Sequence, residues 1–269
     1  MMLLGRIAAW NLFAFGFLLF AVQIAAHEIG HWAGRRQVAR GQAAGEGVGV
    51  LVGGVLALLA FVLALTLSFS SDRFHERRQG TLAEANAIGT AWLRAKAIGQ
   101  PEGDAIAHLL EQYTRLRIDF VSAAYDPPLL EGINHRTGAM QTAIWDQVST
   151  LVRRQPNPVT ASLMAAVNDA FDMTTAERFA FDLRLAPQIF WLLIGLALLG
   201  MGTLGYQLAL RGPRVVGLVL LLTITWTVVI VDILDLGSAR VGRIRTSVAA
   251  YEWTLQGFGG NLPAAAPRR

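Results

Sequence analysis

The chain has 269 residues, a formal net charge of +4, no cysteine and a mean hydropathy of +0.43. Charged residues make up 16% of it, against roughly 25% in soluble domains. The lack of cysteine excludes disulfides, thiolate-held metals, iron–sulfur clusters and thiol nucleophiles. The charge deficit is uneven. Residues 70–186 hold 12 Lys/Arg and 14 Asp/Glu, whereas the rest of the chain holds 11 and 5. A polar middle therefore lies between two apolar ends that need a bilayer. The positive charges flank apolar runs instead of forming one basic stripe, which points to topology and lipid contact and away from nucleic acid.

Four runs meet the requirement of about 20 apolar residues for a bilayer core. The first covers Ile7 to Ala26, with Asn11 and Gln23 as its strongly polar side chains, and is read as a retained membrane helix, not a cleaved signal. The second, Gly47 to Phe69, is the most apolar; Gly47, Gly49, Gly53 and Gly54 make its start closely packable. No Gly or Pro occurs from Val55 to Gln79, so this helix is expected to continue into water without a break.

In the polar middle, residues 78–97 are mostly good helix formers, and Pro101 opens a further helix with Ile106, Leu109, Leu110, Tyr113, Leu116 and Phe120 at helical spacing. Asp126-Pro127-Pro128 reads as a loop. Met140, Ile144, Val148, Leu151 and Val152 mark another amphipathic helix; after Pro156 and Pro158, so do Leu163, Ala166, Val167, Ala170 and Phe171. The third apolar run, Pro187 to Ala209, has Phe190-Trp191 near one end and Tyr206 near the other, as in an aromatic belt. The fourth runs from Val215 to Ile233, and the tail after Gly257 is expected to be loose.

The pattern predicts an all-α membrane protein: four transmembrane helices with a helical cytoplasmic domain inserted between helices 2 and 3. The expected divisions are 1–70, 71–186, 187–240 and a C-terminal segment 241–269. Arg6, Arg73, Arg77, Arg78, Arg240, Arg243 and Arg245 on one side outnumber Arg35, Arg36, Arg40, Arg211 and Arg214 on the other. The positive-inside rule then places the middle and both termini in the cytoplasm.

Four groups of residues carry candidate chemistry. His27-Glu28-Ile29-Gly30-His31 is an H-E-x-x-H string. On a helix it sets two imidazoles one turn apart to hold zinc, with the glutamate as base. It resembles the ligand string of intramembrane metalloproteases, for which Asp232 and Asp235 would be the candidates for a third ligand. The same two aspartates, near a membrane exit, read more simply as solvated or paired with Arg240 or Arg243. Phe61, Leu65 and Phe69 recur every four residues and can form a hydrophobic constriction if the second helix lines an axis. Arg73, Arg77 and Arg78 read as a headgroup collar and as a basic vestibule for anions. His75, His108 and His135 lack companions at ligand spacing and are expected to be ordinary surface or packing residues.

Several strings resemble the bestrophin-like domain family of membrane proteins. They are Thr66-Leu67-Ser68-Phe69, Arg73-Phe74, Arg77-Arg78 and, most specifically, Glu84-Ala85-Asn86-Ala87-Ile88-Gly89-Thr90 continuing through Trp92 and Arg94. Asp172, Glu177-Arg178, Arg184, Pro187 and Trp191 resemble the family's approach to its third span; Asp232, Asp235, Gly242 and Ile244-Arg245 resemble its exit from the fourth. Leu236-Gly237-Ser238 departs from the basic residue and proline usual there. Glu28, Gly30 and Gly34-Arg35-Arg36 fit the family's first span, which makes the flanking histidines local additions and weakens the zinc reading.

The resemblance implies a distant relation to bestrophins, which are oligomeric anion channels with four spans per subunit. The resulting expectation is a homo-oligomeric, anion-favouring ion channel of the bacterial inner membrane. Its partners would be the lipid bilayer, small inorganic ions and further copies of itself, with no cofactor and no nucleic acid. A zinc-dependent protease and a non-transporting scaffold or sensor remain the alternatives.

Overall fold

The computed structural model describes residues 12–41, 47–183, 186–212, 215–240 and 242–259. Arg6, Asn11, Arg184, Arg214 and the tail from residue 260 onward lie outside the described residues. Eight helices are present among those described: α1 (Leu12–Ala39), α2 (Val48–Ala97), α3 (Pro101–Ser122), α4 (Pro127–Arg154), α5 (Pro158–Asp182), α6 (Pro187–Arg211), α7 (Val216–Gly237) and α8 (Ala249–Gly259). No strand occurs among these residues.

Four stretches are long and apolar enough to cross a membrane: α1, α2, the stretch Pro158–Arg211 and α7. Within Pro158–Arg211 the apolar part is α6, which carries no charge before Arg211. Helix α5 carries Asp169, Asp172, Glu177, Arg178 and Asp182. As expected from the absence of Gly and Pro between Val55 and Gln79, α2 continues past its apolar part and runs through all 50 of its residues without interruption.

The chain forms two compact units. The first comprises residues 1–73 and 184–244. Its core gathers Phe15 and Leu19 of α1, Leu59 and Leu63 of α2, Leu193, Ala197 and Met201 of α6, and Trp226, Ile230 and Ile233 of α7. Helix α1 buries Phe15, Leu19, Gln23, His27 and His31, one residue per turn, and Gln23 Nε2 donates to Thr227 Oγ1 on α7 at 2.9 Å.

The closest approach in this unit is between α1 and α6. A Cβ on Gly30 would lie 1.9 Å from the Gly202 carbonyl oxygen, and one on Gly205 would lie 2.1 Å from that of His27. At Gly34 it would meet Tyr206 O at 2.6 Å. Only glycine permits this contact. Small residues allow backbones in lipid to touch and gain dispersion that bulky side chains would prevent. Of the four glycines at the start of α2, Gly49 is closely packed, since a Cβ there would lie 3.0 Å from Arg211 Nη2 and 3.1 Å from Gln207 Nε2 of α6, whereas Cβ atoms on Gly47, Gly53 and Gly54 would meet nothing within 4 Å. Glycine clusters identify close packing only once the partner helix is known.

The second unit comprises residues 74–183 and 245–269. Its core is built from Ile88, Ala91 and Ala95 of α2, Ile106, Leu110 and Phe120 of α3, Ile144, Val148 and Leu151 of α4, and Leu163, Val167 and Ala170 of α5. Asp126-Pro127-Pro128 is not simply a loop. Pro127 is the first residue of α4, and the Leu129 N–H reaches the Asp126 carboxylate at 3.5 Å. Proline at that position sacrifices a donor that has no intrahelical partner anyway. Asn157 and Thr160 form a reciprocal capping box at the start of α5. Helix α8 extends to Gly259, past the point where the tail was expected to loosen, and Phe258 stacks on Trp92 with ring centroids 4.6 Å apart.

Candidate functional site

The second unit encloses a polar network where a helical bundle would ordinarily be apolar. Helix α2 turns Arg77, Thr81, Glu84, Ile88 and Ala91 inward at three- and four-residue spacing. Glu84 is fully buried and accepts hydrogen bonds at both carboxylate oxygens. Arg117 Nε and Thr174 Oγ1 donate to Oε1 at 2.6 and 2.5 Å; Arg117 Nη2 and the Tyr251 hydroxyl donate to Oε2 at 3.3 and 2.5 Å. Gln141 Nε2 donates to Tyr113 Oη at 2.8 Å, and that hydroxyl lies 2.6 Å from Thr174 Oγ1. The chain Gln141, Tyr113, Thr174, Glu84 therefore reaches from α4 through α3 and α5 to α2. Charged groups survive burial only when their hydrogen-bonding capacity is met, and Glu84 meets that condition.

The electrostatics follow from this geometry. Burial pushes the Tyr113 phenol up to about 12, with the neighbouring Glu84 charge adding to the effect. Tyr251 is raised well above its ordinary value by burial and then by Glu84. Both phenols are thus neutral donors. Burial opposes the charge on Arg117, but Glu84 and the two tyrosines outweigh it and raise its pKa.

A second carboxylate lies beside the first. Glu177 of α5 is fully buried; Thr81 Oγ1 donates to its Oε1 at 2.5 Å. Burial raises Glu177 to about 7, and Glu84 adds to the rise, while the Thr81 hydrogen bond, Arg117 and Arg77 pull the other way. Its Oε2 packs against Gly80, where a Cβ would lie 2.1 Å from that oxygen.

The remaining residues singled out in the sequence are dispersed. Phe61, Leu65 and Phe69 are 61%, 43% and 60% exposed in the chain, so they face away from the core of their unit. Arg73 and Arg78 are exposed, but Arg77 is 1% exposed and turned into the second unit. The three arginines therefore do not share one outward face. Asn86 is exposed; Gly89 lies under Thr254 of α8, where a Cβ would be 3.5 Å from Thr254 Cγ2; and Arg94 Nη1 donates to the Ser162 carbonyl at 2.7 Å. His75, His108 and His135 are exposed.

Asp232 is exposed, whereas Asp235 is buried and accepts the backbone N–H groups of Arg243 and Ile244 at 3.0 and 3.1 Å. Among the described residues, Asp235 is thus held by the main chain following α7, where Gly242 adopts φ +97°.

His27 and His31 are buried with nearly parallel rings 6.2 Å apart, and Glu28 Oε1 is 3.5 Å from His27 Nδ1. All three line a cavity of about 80 Å3 closed by Ile24, Leu208 and residues of the first turns of α7. Asp235 sits fifteen residues beyond Leu220, the last of those lining residues, which at 1.5 Å per residue is about 22 Å along the helix. Neither aspartate can complete a site there, and among the described residues no group of three or more His, Asp or Glu is placed to hold a metal ion.

No protein-family model, curated protein or solved structure matches this chain.

Proposed function

We propose that the chain is one subunit of a homo-oligomeric ion channel of bestrophin-like kind in the bacterial inner membrane, with anions favoured. In this reading the unit containing residues 74–183 is cytoplasmic, both termini share its side, and α2 faces the axis of the assembly. The supporting observation is the outward face of α2: Phe61, Leu65 and Phe69 are large, apolar and exposed at four-residue spacing, while Leu59 and Leu63 of the same helix are buried in the core. Copies arranged around an axis would bring these rings together as a constriction that blocks ions by excluding water. Arg73 and Arg78, exposed further along the helix, would attract anions. Lipid and further copies of the chain are the partners this reading needs, and it needs no cofactor.

The test is ion flux from liposomes containing the purified protein. Chloride flux that rises when Phe61 and Phe69 are replaced by alanine supports the reading. Absence of flux for both forms under all voltages and pH values overturns it.

A zinc-dependent hydrolase is a second reading, favoured by the single cavity that His27, Glu28 and His31 share. Stoichiometric zinc in the native protein, lost on His27→Ala, would support it; a metal-free native protein would end it.

A further inference from the structure

The sequence Thr-x-x-Glu occurs twice in the second unit, at Thr81–Glu84 of α2 and at Thr174–Glu177 of α5. The two copies pair reciprocally: Thr81 donates to Glu177, and Thr174 donates to Glu84, each at 2.5 Å. The helices therefore run antiparallel here, and each threonine one turn from its own glutamate serves the other helix's glutamate. The two carboxylates nonetheless have opposite surroundings. Glu84 receives four donors, including a guanidinium. Among the described residues, Glu177 receives a hydrogen bond from Thr81 alone, and its buried Oε2 has no hydrogen-bond partner. That oxygen presses on Gly80, a position with no side chain to donate.

A buried carboxylate oxygen without a donor is costly as an anion and much cheaper as a neutral acid. We propose that Glu177 is a proton-binding site, and that its loss of the proton leaves a buried, undonated anionic oxygen that weakens the packing of α5 against α2 at Gly80. The charged and titratable groups that act on it are Arg77 and Glu84 of α2 and Arg117 of α3, and its own charge acts in turn on Tyr251 of α8. Glu84 disfavours a second negative charge, and Arg77 and Arg117 favour it. Glu84 and Arg117 form a close ion pair, so their effects on Glu177 oppose one another. The inference concerns the second unit alone and does not rest on ion conduction.

The direction with pH follows from linkage. The folded state holds the Glu177 proton up to about pH 7, whereas an unfolded glutamate releases it near its ordinary value of 4.5. Stability from this group is fully present below about pH 4.5 and is lost as pH rises to about 7. The unfolding equilibrium shifts by roughly two to three orders of magnitude across that interval.

The experiment is the pH dependence of unfolding of the full-length protein in detergent, for wild type and Glu177→Gln. Glutamine is isosteric with the neutral acid. The two should match near pH 4.5, and the variant should become the more stable as pH rises, reaching a constant advantage above about pH 7. Parallel profiles would overturn the proposal. Infrared difference spectroscopy of the unmodified protein covers the case of a variant that fails to fold. A buried protonated-carboxyl C=O band that disappears near neutrality supports the site. A spectrum with no such band between pH 5 and 8 refutes it.

Discussion

Replacing Gly30 or Gly205 by alanine perturbs the contact between α1 and α6 beside His27 and His31. The new Cβ would stand 1.9 Å from Gly202 O in the first case, and 2.1 Å from His27 O and 3.1 Å from His31 N in the second. Carbon and oxygen need about 3.2 Å, so the α1 and α6 backbones must separate by about 1 Å. A gap of that size forfeits roughly a quarter to a half of each dispersion contact, and over a few dozen atom pairs of about 0.1–0.2 kcal/mol the loss is about 1–3 kcal/mol. This agrees with the usual cost of overpacking a core. The helical preference of alanine over glycine works the other way by up to about 1 kcal/mol. Gly195, on the same α6, supplies the control: its Cβ would meet nothing within 4 Å, so only the favourable term remains. Unfolding in detergent should therefore show opposite signs, with Gly30→Ala and Gly205→Ala destabilised by about 1–2 kcal/mol and Gly195→Ala neutral or slightly stabilised. Equal stability of all three would refute the claim that α1 and α6 meet backbone to backbone.

Arg117→Met should cost about 3–5 kcal/mol, because it leaves Glu84 buried without its cation. Adding Glu84→Leu should recover much of that loss, measured as the unfolding midpoint of the double variant. Tyr251→Phe removes one hydrogen bond to a carboxylate and should cost about 1.5–3 kcal/mol, with faster amide exchange in α8 as the local readout. Gly242→Ala forces a side chain into φ +97°, with its Cβ 2.1 Å from Asp235 Oδ1. It should expose the chain after α7 to limited proteolysis without altering the secondary-structure content. The stability of the wild type should fall between about pH 4.5 and 7 by an amount that Glu177→Gln removes.

The helices and the four apolar runs were legible in the sequence because periodicity and length act locally. The unbroken α2 followed from the absence of Gly and Pro between Val55 and Gln79. Partnerships were harder to read. Gly30 and Gly34 were noted in the sequence only as part of the family-like pattern of the first span, and their packing role appears only when Gly202, Gly205 and Tyr206 come opposite. Arg77 was grouped with Arg73 and Arg78 by adjacency, although one residue's rotation about a helix is enough to turn Arg77 inward. Glu84 stood out in the family-like string, but its four donors come from α3, α5 and α8, up to 167 residues away. The repeated Thr-x-x-Glu and the polar Thr114 and Arg117 among buried apolar positions of α3 were the available signals.

The most direct measurement is single-particle imaging of the purified full-length protein in detergent or nanodiscs. The account predicts a closed ring of identical subunits around an axial hole, with Phe61, Leu65 and Phe69 of α2 facing that axis. A monodisperse monomer, or a ring in which those three side chains face lipid, would contradict it.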